Sequence, residues 1–256
     1  MKKKPTSPIY IKAQKELQAE FVGTFMVTFV TTWSLIYNDL GKLTDTGVAL
    51  AHSVVVLVAM WFMYHISGAH LNPALTLGLI FVRKIEWLKG VYYMAAQFLG
   101  AFCAALFIYL QITDSVFNAL LGKSIMGIPY AKGKNNTISE FFGEILGVFF
   151  MVYVYMSIVA YKSKNKSPEI GIMAFSFSIF AITMTFGELS GACLNPARSL
   201  APSLVVGVIS KNQFYQIFGP IIGAILGSML YSGLYIDEDD DENEEAVDAP
   251  SKIFLK

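Results

Sequence analysis

Apolar residues along this chain fall into six long blocks separated by short polar segments. The blocks cover approximately residues 16–37, 47–66, 87–112, 137–161, 169–189 and 213–236. Each block contains about 20 residues or more and few charges, which is what an α-helix needs to cross a ~30 Å hydrocarbon core. The pattern therefore predicts an all-α membrane protein with six transmembrane helices.

Two shorter apolar runs lie between these blocks, and each begins at an Asn-Pro-Ala triplet. The triplets are Asn72-Pro73-Ala74 and Asn195-Pro196-Ala197. Asn is a favoured N-cap residue and Pro is favoured at the first helical position, so each triplet predicts the start of a helix. Each run is about 11 residues long, or roughly 16 Å of helix, which is half the thickness of the core. We therefore predict two re-entrant half-helices that begin at mid-membrane.

The triplets belong to a longer internal repeat. The octets 67–74 and 190–197 are 123 residues apart and match at seven of eight positions. Because each half holds three crossing helices, the second half must insert upside down, which gives an inverted repeat. We predict repeats over 16–112 and 137–236, a polar N-terminal tail over 1–15 and an acidic C-terminal tail over 237–256.

The charge distribution adds orientation to this membrane topology. Hydrophobic residues make up 55% of the chain and charged residues 15%, and 19 basic residues balance 19 acidic ones. Eleven Lys and Arg residues lie in the N-terminal tail and on its side of the membrane, against five on the other side. Since basic residues concentrate on the cytoplasmic side, both termini are predicted to be cytoplasmic.

Three features occur together in this sequence, namely the two octets, a Glu-Phe-x-Gly sequence in each half and Arg198 directly after the second triplet. In these features the chain resembles the aquaporin, or major intrinsic protein, family. The resemblance covers approximately residues 14–236. It implies a passive water channel that excludes protons and ions, with one hourglass pore per monomer in a homotetramer. It also implies a bilayer as the partner, with the plasma membrane expected and a vacuolar or vesicle membrane as the alternative.

The same resemblance assigns a selectivity filter. Its four walls fall on His52, Thr183, Ala192 and Arg198. A strict water filter in this family has Phe, His and Cys in the first three places, so this one is expected to be wider though still polar. It looks like the plant vacuolar branch, whose members often pass ammonia, urea or peroxide. Ser199 and Ser203 stand where glycerol-conducting members carry an Asp and a basic residue, which argues against a dedicated glycerol channel.

Other residues receive roles by the same route. Asn72 and Asn195 are expected to donate hydrogen bonds to passing water at the midplane. Glu20 and Glu140 are expected to accept hydrogen bonds from the exposed N–H groups of the re-entrant loops. A vestibule or gating role is a further hypothesis for three residues, which are His70, Ser163 and Ser167.

Several alternatives remain at this stage. One is a channel whose main cargo is ammonia, urea, glycerol or hydrogen peroxide. An ion- or proton-coupled transporter would need carboxylates at the midplane, where the sequence places asparagines. A junctional membrane protein with low conductance is a weaker alternative. No nucleophile–base pair or metal-ligand spacing is evident, so we expect no enzyme activity, no cofactor and no metal. Apart from the short basic N-terminal tail, which is better explained as a topology signal or a membrane-surface contact, the sequence has no nucleic-acid-binding feature, so no nucleic-acid partner is expected.

Overall fold

The computed structural model describes residues 8–120, 127–129, 137–164, 168–209 and 213–235. These residues fold into α-helices with no β-strand among them. The helices are α1 Pro8–Asp39, α2 Asp45–Ser67, α3 Pro73–Phe81, α4 Trp87–Gln111, α5 Asp114–Leu120, α6 Thr137–Lys164, α7 Glu169–Ser190, α8 Pro196–Val206 and α9 Gln213–Tyr235.

Six of the helices are long and apolar enough to cross a membrane, as the sequence predicts. They are α1, α2, α4, α6, α7 and α9. Their bounds agree with the predicted spans to within a few residues everywhere except at the N-terminus. The predicted order is also confirmed. The short helix α3 lies between the crossing helices α2 and α4, and the short helix α8 lies between α7 and α9.

The start of α1 differs from the prediction. The helix begins at Pro8, inside the segment predicted as a polar tail. Pro is well suited to the first helical turn because it needs no backbone donor there. The polar first turns are also anchored, since the Glu16 carboxylate lies 3.1 Å from Lys89 Nζ on α4 and 3.9 Å from Lys12 Nζ. The predicted C-terminal tail lies outside the described residues.

The two half-helices interlock the halves of the molecule. Helix α3 packs mainly on α9, the last crossing helix of the second half, and α8 packs mainly on α4, the last crossing helix of the first. Close crossings elsewhere obey the same symmetry. A Cβ at Gly100 would overlap the carbonyl oxygen of Phe21, and a Cβ at Gly223 would overlap that of Ile145. The small residues therefore let α4 approach α1, and α9 approach α6, in the same way.

Candidate functional site

The two re-entrant segments, defined here as residues 68–72 and 191–195, have the same unusual backbone. After a left-handed glycine at the end of the preceding helix, each segment has two non-glycine residues with positive φ. These are Ala69 at 51°, Leu71 at 52°, Ala192 at 42° and Leu194 at 59°. Such conformations cost about 1–3 kcal/mol each and persist only where the surroundings hold them. The neighbouring carboxylates provide that support.

Glu20 of α1 holds the first segment. Its carboxylate accepts hydrogen bonds from the backbone N–H groups of His70 at 3.0 Å and Leu71 at 2.7 Å. It also accepts from Ser67 Oγ at 2.6 Å and from Gln97 Nε2 at 2.7 Å. Donors that lipid would leave without a partner are satisfied inside the protein in this way. The structure thus gives Glu20 the supporting contacts expected of it.

The second segment is held by Glu144, and the expectation for Glu140 is wrong. Glu144 accepts from the backbone N–H groups of Cys193 and Leu194 and from Ser190 Oγ, each at 2.8 Å. Glu140 lies one helical turn earlier on α6, about 6 Å farther along the axis at 1.5 Å per residue. That displacement is too large for its carboxylate to replace that of Glu144.

A spacing signal in the sequence points to Glu144. Both Glu140 and Glu144 are followed by Gly three residues later, as Glu20 is. The octets are 123 residues apart, whereas Glu140 lies only 120 residues after Glu20 and Glu144 lies 124 residues after it. Glu140 is followed by Phe, as Glu20 is, and this shared Phe favours an alignment of the two halves that pairs Glu20 with the wrong glutamate.

The two asparagines join the half-helices at their N-termini. Asn72 Oδ1 accepts a hydrogen bond from the backbone N–H of Ala74, and Asn195 Oδ1 accepts from those of Ala197 and Arg198. Each side-chain nitrogen crosses to the other segment, so that Asn72 Nδ2 donates to Leu194 O at 2.8 Å and Asn195 Nδ2 donates to Leu71 O at 2.8 Å. This reciprocal pair places both predicted asparagines at the meeting point of α3 and α8.

A narrow cavity of about 30 Å³, enough for only a few water molecules, passes this meeting point. Both asparagines line it, and His52 and His70 are among its polar lining residues. Its remaining walls are mostly apolar. They are formed by Val27, Val56, Met60, Ala69, Leu71, Leu75, Met151, Phe175, Ile179 and Leu194. We call this space the central cavity.

Arg198 is fully buried and is held by neutral oxygens. Its Nε donates to Thr31 Oγ1 at 2.8 Å, and its Nη1 donates to the carbonyl oxygens of Ala192 at 3.1 Å and Cys193 at 2.9 Å. Glu188, a carboxylate nearby in sequence, is exposed on α7. Within the part of the chain that the structure describes, no carboxylate is bonded to the guanidinium, which is fixed against α1 and the second re-entrant segment.

The other predicted filter residues make contacts of their own, and one of them, His52, lines the central cavity. His52 Nδ1 lies 3.2 Å from Thr183 Oγ1, and both side chains are buried. Thr185, two residues after Thr183 on α7, is instead exposed and donates to Ala181 O at 2.8 Å. Ala192 is fully buried. It contributes its carbonyl group to Arg198 rather than an exposed side chain.

Comparison with known proteins identifies the family at this point. A profile described as "Major intrinsic protein" matches residues 9–231. The chain belongs to the major intrinsic protein family. Its members are aquaporin channels, that is, transporters rather than enzymes. This confirms the resemblance that the octets indicate. The chain is a multi-pass membrane protein and an aquaporin-type channel.

Individual relatives agree with this assignment. The chain is 30% identical to the putative aquaporin NIP4-1 of Arabidopsis thaliana over 84% of this chain and 73% of that protein. It is 34% identical to the probable aquaporin TIP-type RB7-5A of Nicotiana tabacum over 78% of this chain and 80% of that protein. The X-ray structure of the aquaglyceroporin from Plasmodium falciparum has the same fold. It matches with a TM-score of 0.71 at 22% identity and covers 90% of this chain and 99% of that one.

His70 lies in a compact aromatic environment in this aquaporin. Its ring makes edge contacts with Tyr93 at 5.3 Å and Tyr155 at 5.9 Å between ring centres. Its Nδ1 lies 3.2 Å from Thr76 Oγ1. His70 is buried and lines the central cavity, so its ring does not lie in an open vestibule.

The other two gating candidates cannot be placed in the same way. Ser163 falls at the end of α6, where side chains lie outside the described part of the chain, and Ser167 lies outside it altogether. Both therefore stay predictions from the sequence.

A buried polar network behind Arg198 was not predicted. Ser199 Oγ donates to Gln216 Oε1 and Ser203 Oγ donates to Gln213 Oε1, each at 2.6 Å. Gln213 Nε2 donates in turn to Ser199 Oγ, and Gln216 Nε2 donates to the carbonyl of Pro129. The network ties α8 to α9 and to residues 127–129.

Proposed function

We propose that this aquaporin conducts water together with small neutral solutes, passively, and excludes protons and ions. One observation carries the proposal, namely the reciprocal pair of Asn72 and Asn195 beside the central cavity. Each amide nitrogen has two N–H groups, and the carbonyl of the opposite segment uses one of them. The second N–H of Asn195 can then bond a molecule in the cavity, and that of Asn72 can do so in place of its weak contact with Met151 Sδ at 4.0 Å.

The proton exclusion follows from this geometry. The N-termini of α3 and α8 meet at the asparagines, and each carries a partial positive charge. A water molecule between them accepts hydrogen bonds through its oxygen and must point its hydrogens away on both sides. Neighbouring waters are therefore oriented in opposite directions, which interrupts a proton wire, and the two positive ends repel cations.

The solute range follows from the filter. We assign this role to His52, Thr183, Ala192 and Arg198, called the polar ring below. Arg198 repels cations and donates hydrogen bonds. The small Thr183 bonded to His52 leaves more room than a second ring at that place would, so molecules of the size of urea are expected to pass with water.

Assembly and location belong to the same proposal. Large apolar side chains such as Trp61, Phe62, Phe107 and Leu110 are 52–72% exposed on the outer faces of the helices, which suits lipid or neighbouring subunits. We propose a homotetramer in the plasma membrane, with a vacuolar or vesicle membrane as the alternative. Both termini would be cytoplasmic, in keeping with the concentration of Lys and Arg on that side.

Stopped-flow light scattering on proteoliposomes tests the function. An impermeant osmolyte measures water flux, while urea and glycerol gradients measure solute entry as re-swelling. We expect fast, weakly temperature-dependent shrinkage in wild-type vesicles and clear re-swelling in urea.

The double variant His52→Phe, Thr183→His supplies the matched comparison, since it narrows the polar ring without touching the asparagines. We expect it to keep water flux and lose the re-swelling. Water flux no faster than in empty liposomes would contradict the proposed function. Equal re-swelling in both proteins would contradict the assignment of the polar ring.

A further inference from the structure

The inverted repeat gives every residue of the polar ring a partner in the other half. Ser53 and Ser176 are 123 residues apart, and Ser53 Oγ donates to Ser176 O at 2.7 Å, so these equivalent positions of α2 and α7 touch. The same offset separates the octets. It therefore relates positions in space as well as in sequence.

Applied to the polar ring, this offset leads to a second set of residues. It pairs His52 with Phe175, Thr183 with Met60, Ala192 with Ala69 and Arg198 with Leu75. All four partners, Phe175, Met60, Ala69 and Leu75, line the central cavity. They are 1–5% exposed. We call them the apolar ring.

The apolar ring contrasts with the polar ring in chemistry. It replaces a guanidinium, an imidazole and a hydroxyl by the side chains of Leu75, Phe175 and Met60. The equivalent of Thr31, the Arg198 partner, is Tyr155 at the 124-residue offset that also relates Glu20 to Glu144. Its hydroxyl donates to Gly68 O at 2.7 Å. A backbone carbonyl of the first segment is therefore already engaged beside the apolar ring.

We propose that the apolar ring is a second specificity-determining constriction, which limits solute size and resists wetting in the half of the pore opposite the polar ring. This rests on the proposed function as a channel. Apolar constrictions in channels restrict conduction because water leaves a narrow apolar passage readily. A solute must then pass two different rings in series. The polar ring can form hydrogen bonds with it, and the side chains of the apolar ring cannot. The favoured cargo is a neutral molecule small enough to pass Phe175 and Met60 with few of its own hydrogen bonds satisfied.

The size limit is tested with Phe175→Ala and Met60→Ala in proteoliposomes, with water, urea and glycerol as probes. We expect glycerol permeability relative to water to rise about tenfold in Phe175→Ala, a barrier change of about 1.4 kcal/mol. The control for Phe175→Ala is Phe177→Ala on the same helix, α7, and the control for Met60→Ala on α2 is Met173→Ala on α7. The two control side chains are 65% and 47% exposed. Each should leave the ratio at the wild-type value.

The resistance to wetting is tested with Met60→Gln, which is close in size but polar. We expect water permeability to increase several-fold while the glycerol-to-water ratio does not increase. The size proposal is overturned if Phe175→Ala and Phe177→Ala give the same ratio in vesicles that conduct water. The wetting proposal is overturned if Met60→Gln conducts water no faster than wild type. If no protein, wild type included, exceeds empty vesicles, the failure lies with the proposed function.

Discussion

The two re-entrant segments of this protein have the same backbone and opposite side-chain chemistry. Both begin with a left-handed glycine, have positive φ at the same places and end at an asparagine that caps a half-helix. Yet Arg198 follows one segment and Leu75 stands at the equivalent place after the other. The path of the segments is therefore set by groups outside the rings, and the rings are free to differ.

The supports of the two segments also differ in one respect. Glu20 accepts a side-chain hydrogen bond from Gln97, which also donates to Thr76 Oγ1 at 3.0 Å. The position equivalent to Gln97 in the second half is Pro220, whose side chain has no donor. Glu144 therefore holds its segment with fewer neighbouring donors to fix its own position.

The largest effect is expected when a supporting carboxylate is removed. In Glu144→Ala the buried N–H groups of Cys193 and Leu194 lose their acceptor, at about 1–3 kcal/mol each. The strained backbone of 191–195 then loses its restraint. We expect a loss of roughly 2–6 kcal/mol in the free energy of unfolding in mixed micelles, together with loss of water permeability.

Glu140→Ala is the matched control, because it removes a carboxylate from the same helix one turn away. We expect its unfolding free energy to stay much closer to that of the wild type. Comparable losses in the two variants would mean that the segment is not held by Glu144. Glu20→Ala should resemble Glu144→Ala, since the two carboxylates play the same part.

This pair of glutamates also shows what the sequence can and cannot predict. Hydropathy and the two octets predict the six spans, both half-helices and the asparagines, since those features depend on local patterns. The register of α6 against the second segment depends on packing, and two Glu-x-x-Gly sequences one turn apart satisfy the same local pattern. The 124-residue offset from Glu20 favours Glu144 over Glu140, and the hydrogen bonds to Cys193 and Leu194 establish it.

The partners of Arg198 illustrate a second limit. Thr31 is one of several hydroxyl residues on α1, and nothing in the periodicity of that helix marks it as a partner of a residue 167 positions away. The sequence draws attention to Ser199 and Ser203 only because the family resemblance leads one to expect an Asp and a basic residue there in a glycerol channel. Their bonds to Gln213 and Gln216 require the α8–α9 packing to be known.

The second-largest effect is expected when the positive charge of the polar ring is removed. Arg198→Val removes the cation from the polar ring, and Leu75→Val makes a smaller apolar change at the equivalent place. We expect proton and cation leak to rise by about tenfold or more in Arg198→Val, a barrier change of about 1.4 kcal/mol, and not in Leu75→Val. The measurement is the decay of imposed proton and potassium gradients in vesicles checked for water permeability. Equal leak in both variants would remove Arg198 from the exclusion mechanism.

A smaller effect is expected at Thr31, which lies outside the polar ring and accepts a hydrogen bond from Arg198. Thr31→Val keeps the side-chain shape but removes the acceptor of Arg198 Nε, a hydrogen bond to a charged group worth about 1.5–3 kcal/mol. Two carbonyl acceptors still hold Nη1, so proton leak should increase less than in Arg198→Val. Tyr155→Phe removes the equivalent hydroxyl at the apolar ring and should leave proton leak unchanged. A larger leak in Tyr155→Phe than in Thr31→Val would contradict this placement of the charge barrier.

The smallest effect is expected at Gly187, which is equivalent to Tyr64 in the first half. The N–H of Gly68 bonds to the carbonyl of Tyr64 at 2.9 Å, and the N–H of Gly191 bonds to that of Gly187 at 3.0 Å. Tyr64 and Gly187 are equivalent, so the capping bond does not depend on the side chain. A Cβ at Gly187 would meet nothing within 4 Å, and a helical Gly costs about 0.5–1 kcal/mol relative to Ala. Gly187→Ala should therefore raise the free energy of unfolding by about that amount and leave water permeability unchanged. A loss of stability or of flux would show that the second segment needs freedom at its entrance that the first does not.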